Sequence, residues 1–83
     1  MSQETRKEVS RLFKQCQEEL LLASRHFEIA SAHFEEGRVP AGCAHAFAAQ
    51  GHLKRVSEWS ASASEIHANH ALLPPSPSSE TDE

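Results

Sequence analysis

Between Thr5 and Glu36 the chain carries neither proline nor glycine, and its apolar residues recur at helical spacing. Val9, Phe13, Cys16, Leu20, Ala23, Phe27, Ala30 and Phe34 alternate steps of four and three residues, a heptad pattern held for more than three repeats. A strand would need strict alternation, so this stretch is expected to form one long amphipathic helix over about residues 4–36. The "TRKE" at Thr5–Glu8 has the pattern of a capping box, and Ser2 offers an alternative cap one turn earlier. Gly37 suits the left-handed position just past a helix end, and Pro40 suits the opening turn of the next helix. Residues 37–40 are therefore expected to be a turn.

A second periodic segment is expected to be helical over about residues 41–71. At seven-residue spacing it presents His45, His52, Trp59, Ile66 and Leu73 in one column and Ala49, Val56, Ala63 and His70 in the next. Ala44, Ala46, Ala48 and Ala49 make its first half small-sided, which permits close approach of a neighbouring helix. Gly51 weakens it by about 1 kcal/mol relative to alanine. The chain then changes character at "LLPPSPSSETDE", where prolines exclude regular structure and serines and acids cannot build a core. Residues 74–83 are expected to be a disordered tail, leaving 1–73 as the helical unit.

Two long helices joined by so short a turn pack antiparallel, giving an all-α hairpin. A lone hairpin buries one stripe of each helix, yet Leu12, Leu22 and Ile29 widen the apolar face of the first beyond its heptad seam. A chain of 83 residues also buries only roughly 60% of its unfolded surface and needs a disulfide, a metal or a partner to reinforce its core. The expected solution is a homodimer that closes a four-helix bundle with two-fold symmetry. Its interface is expected to use Phe13, Leu20, Leu22, Phe27, Ile29 and Phe34 of the first helix with Val56, Trp59 and Ile66 of the second. Such an architecture resembles, at the level of fold only and with no shared motif, the small RNA-binding hairpins that dimerise into four-helix bundles.

Four of the six histidines follow the same geometry. With the turn centred near Val39, His33 falls opposite His45 and His26 opposite His52, and the two on each helix stand one heptad apart. The leading expectation is packing: imidazole has an apolar ring and polar edges, and protonation between about pH 5 and 7 would place charge in a partly buried seam. The alternative is a transition metal or haem held between the helices by His26, His33, His45 and His52. That reading needs further ligands from Glu36, Cys43 or a second subunit, and neither HExxH nor CxxC spacing is present. His67 and His70 lie in the last turns of the second helix, where positive charge complements the helix dipole.

Charge and composition exclude several classes. A formal net charge of -4 argues against general attraction to nucleic acid or to an anionic membrane surface. Arg6, Lys7, Arg11 and Lys14, with Lys54 and Arg55 opposite, form a basic edge that keeps RNA binding as a second alternative, although Glu4, Glu8 and Glu18 interleave it. No apolar run reaches the roughly 20 residues of a membrane span, and no signal-peptide core is evident, so a cytoplasmic protein is expected. Cys16 and Cys43 would lie on the order of 28 Å apart in the hairpin and should be reduced thiols. Cys43 and His45, two apart on a helix, face different sides, and no nucleophile with a base, pair of buried acids or phosphate-cradling loop is evident. The sequence therefore implies a non-enzymatic, dimeric protein–protein interaction module of adaptor or regulatory type, without a cofactor.

Overall fold

The computed structural model describes residues 1–71. The expected disordered tail over 74–83 and the column position Leu73 lie outside those residues. Two helices, α1 (Gln3–Glu35) and α2 (Val39–His70), pack against each other as an antiparallel hairpin, with no strand among the described residues.

The amino-terminal cap of α1 is Ser2, whose Oγ accepts the Thr5 amide at 3.0 Å and donates to Thr5 Oγ1 at 2.8 Å. The Thr5–Glu8 capping box is not used. With Ser2 capping, the helix starts a turn earlier, and the Glu8 carboxylate instead receives two N–H groups of Arg11 at 2.6 and 3.2 Å.

The far end of α1 closes as a Schellman motif. Gly37 takes φ 78°, its amide donates to the Phe34 carbonyl at 3.1 Å, and the Arg38 amide donates to the His33 carbonyl at 2.8 Å. Arg38 then serves directly as the N-cap of α2, and Pro40 sits in the first turn, where its missing N–H leaves no bond unmade. The second helix consequently begins two residues earlier than the periodicity predicted.

Small side chains fill the seam. Leu12, Cys16, Ala23 and Ala30 of α1 are buried against Gly42, Ala49 and Ala63 of α2. The columns expected on α2 face α1 as far as Ile66: His45, His52, Val56, Trp59 and Ile66 are half-buried beside the enclosed Ala49 and Ala63, whereas His70 at the end of its column is exposed. On α1 only one of the two expected columns is used. Cys16, Ala23 and Ala30 are buried as predicted, but the neighbouring column turned towards α2 is Leu12, Glu19, His26 and His33. Phe13, Leu20, Phe27 and Phe34 remain 44–53% exposed on the other flank. The reason is geometric: residues three and four positions on from Val9 flank it equally, and the turn delivers α2 to only one of the two flanks.

Candidate functional site

The α1 column that the turn directs inward carries polar rings, and they meet their counterparts on α2. Beginning at the turn, Arg38 Nε donates to His33 Nδ1 at 2.8 Å, while the same guanidinium pairs with Glu36. The His33 ring stacks on His45 with centroids 5.5 Å apart and planes 19° from parallel. His45 stacks on His26 at 5.2 Å, with their Nδ1 atoms 3.0 Å apart. His26 in turn stacks on His52 at 5.5 Å. The column ends where His52 Nδ1 meets Glu19 Oε1 at 2.6 Å, with Arg55 reaching the same oxygen at 3.7 Å.

Four imidazoles thus form a ladder that alternates between helices, closed by an arginine at the turn and a carboxylate at the inner end. The expected pairs His33–His45 and His26–His52 are both brought together. His26–His45 is added because each ring sits between two rings of the facing helix, as knobs do in a heptad seam. That offset also places the turn centre nearer Gly37 than Val39.

Valence fixes where several protons reside. Arginine Nε–H can only donate, so His33 Nδ1 is bare and the ring carries its hydrogen on Nε2. One hydrogen serves the His26–His45 contact, so one of those two Nδ1 atoms is bare as well. The Glu19 carboxylate accepts, which assigns a hydrogen to His52 Nδ1. Of the four Nδ1 atoms in the ladder, two therefore carry a hydrogen and two are bare.

A line of stacked rings does not make a metal shell. Among the described residues no group of three or more histidine, cysteine, aspartate and glutamate side chains is gathered where an ion could sit. Cys43 is exposed and Glu36 is engaged by Arg38, so the further ligands a metal or haem would require do not converge on the histidines within one chain. Glu19 and Arg38 are the members that sequence reasoning overlooked. Glu19 stands one heptad after Leu12 and one before His26, so following that polar column would have found it.

The remaining candidates divide between the two sides of the hairpin. Phe13, Leu20, Phe27 and Phe34, with Leu22 beside them, are exposed, whereas Ile29, Val56, Trp59 and Ile66 are half-buried. Phe13 helps line a shallow apolar depression with Met1, Val9, Ala63 and His67. The Trp59 indole Nε1 is buried without a hydrogen-bond partner among the described residues. Along the basic edge, Arg6 donates to the Met1 carbonyl at 3.0 Å, Arg11 is held by Glu8 and Arg55 leans on Glu19. The Arg11 hydrogen bond holds the Glu8 carboxyl below its ordinary range, and Glu8 pushes Arg11 up in return. Both thiols are free, with Cys16 buried and its Sγ 3.7 Å from the Val56 carbonyl. No helix among the described residues is long and apolar enough to cross a membrane. No protein-family model, curated protein or solved structure matches this chain.

Proposed function

We propose that this chain is a non-enzymatic helical interaction module that works as a homodimer, two hairpins closing a four-helix bundle whose surface binds a protein partner. The observation that carries the reading is the row Phe13, Leu20, Phe27 and Phe34, large apolar side chains at seven-residue spacing, each 44–53% exposed. Such a row is self-complementary. An antiparallel copy related by a two-fold axis sets Phe27 of one chain beside Leu20 of the other, and Phe13 beside Phe34.

Energetics favour the same solution. The buried apolar side chains of one hairpin are a single leucine, a cysteine and four alanines, and no large side chain among the described residues is fully enclosed. Covering the exposed half of each row residue contributes on the order of 1 kcal/mol apiece, repeated on both chains. Support for a protein rather than a nucleic-acid partner comes from the net charge of -4 and from the engagement of Arg6, Arg11 and Arg55 by groups of the chain itself. Two free thiols fit a reducing compartment such as the cytoplasm.

Sedimentation equilibrium tests the reading directly. The expected mass is twice the 9.2 kDa of one chain, and Phe27→Glu should abolish the dimer by burying an unpaired charge in the row. A chain that sediments as a folded monomer at every concentration reached would end the proposal.

A further inference from the structure

We infer that the His33–His45–His26–His52 ladder is an acid-sensitive latch that holds the turn-proximal half of the hairpin closed at neutral pH and releases it as pH falls through the range in which imidazole titrates. The inference goes beyond the dimer reading and rests on the count of hydrogens between the rings.

Each contact in the ladder responds to a proton in its own way. A proton from solvent added to His33 Nδ1 turns an acceptor into a donor facing the Arg38 N–H, so the 2.8 Å bond is replaced by two opposed N–H groups beside a guanidinium. A proton added to the bare member of the His26–His45 pair sets two N–H groups against each other at 3.0 Å. Both protonations also add positive charge to rings stacked 5.2–5.5 Å apart. His52 behaves oppositely, because its Nδ1–H already points at the Glu19 carboxylate and a charged ring strengthens that contact.

The groups that face the ladder are Glu19 and Glu36 on the carboxylate side and Arg38 and Arg55 on the cationic side. Glu19 lies at the His52 end, and Glu36 is occupied by Arg38, so neither neutralises a proton placed on the central pair. Two sites are therefore broken by acid and one is reinforced.

The sign follows. The bonds to bare nitrogens are complete above the imidazole titration range and are lost as pH falls through it. Because the contacts to those two nitrogens are lost when they are protonated, the folding equilibrium constant falls with acid. The distal half, held by Leu12, Cys16, Val56 and Ala63, has no such contact among the described residues.

The experiment is urea denaturation of the full chain at one fixed protein concentration at about pH 7.5 and about pH 5.5, with and without EDTA, spanning the imidazole titration range. It is paired with ¹⁵N chemical shifts of the six imidazoles, in which exposed His67 and His70 serve as references. The expected results are an at least tenfold loss of the folding constant at the lower pH, and His33 observed as the Nε2–H tautomer at neutral pH. His33→Gln/His45→Gln, which replaces two titrating rings with neutral amides, should remove most of the pH dependence. A folding constant equal at the two pH values, or His33 found with its hydrogen on Nδ1, overturns the inference even if the double variant fails to fold. Destabilisation by EDTA at neutral pH also overturns it, since the bare nitrogens would then belong to a metal. The mass of the assembly plays no part in these readouts, so failure of the latch and failure of the dimer are told apart.

Discussion

The Phe34 ring lies over Gly42 so closely that a Cβ built on the glycine would stand 2.5 Å from Phe34 Cδ2 and 3.3 Å from the Ala30 carbonyl oxygen. The absence of a side chain at Gly42 therefore sets how near α2 approaches α1 next to the turn. Gly51, in the same helix, has nothing within 4 Å of the corresponding point. The two glycines should respond oppositely to alanine. Gly51→Ala gains helix propensity without a clash and is expected to stabilise by about 0.5–1 kcal/mol. Gly42→Ala must displace Phe34 and press on backbone, and is expected to destabilise by about 1–2 kcal/mol net. Chemical denaturation of the two variants measures both signs.

The row on the outer flank makes a prediction that a lone hairpin would not. Leu21 is 71% exposed and lies off the row, whereas Phe27 is in it at 44%. Leu21→Ala should change stability by no more than about 0.5 kcal/mol. Phe27→Ala should weaken dimerisation by about 2–4 kcal/mol, read as a shift in the concentration at which the dimer dissociates. Equal, small effects at both sites would count against the row as an interface.

Trp59 packs in the seam with its indole N–H buried and unpaired among the described residues. An unsatisfied donor of this kind costs roughly 1–3 kcal/mol, so removing it offsets part of the packing lost on substitution. Trp59→Phe is expected to be within about 1 kcal/mol of the wild type, and Trp59→Ala to cost about 2–4 kcal/mol. Thermal denaturation of the pair supplies the comparison.

At the surface, the bond from Arg11 lowers the Glu8 carboxyl pKa. A depressed carboxylate contributes stability above its unfolded value and loses it as pH falls through the folded one. Arg11→Gln should return Glu8 to the ordinary range, visible in a ¹³C carboxyl titration. The effect on overall stability should be slight, because an exposed pair is screened by solvent.

The thiols should separate by accessibility. Cys43 is exposed and should react with a maleimide at once. Cys16 is buried with its Sγ against the Val56 carbonyl, and should react only as fast as the hairpin opens. Mass spectrometry of a labelling time course resolves the two steps, and equal rates would contradict the packing.

Much of this architecture was legible in the residues. The glycine- and proline-free run gave α1, Gly37 gave its Schellman end, and the α2 columns through His45 and Ala49 were the ones that turned inward. The facing of His33 with His45 and of His26 with His52 followed from antiparallel arithmetic alone. The ladder's closing groups did not, because Glu19 and Arg38 read locally as a surface acid and a turn residue. Only their position against α2 makes them partners of the imidazoles.

The sequence by itself determined two helices, a hinge between them and a central column of small residues on α1 running through Cys16, Ala23 and Ala30. It could not determine which flank of that column α2 would cover, since Leu12–Glu19–His26–His33 and Phe13–Leu20–Phe27–Phe34 lie at equivalent angles beside it. Hydrophobicity alone favours the phenylalanines. The tertiary structure decided for the histidines, because Gly37 at φ 78° and the bonds that close the turn fix the direction in which α2 departs, and that direction leaves the aromatic row on the flank of the seam, about half exposed.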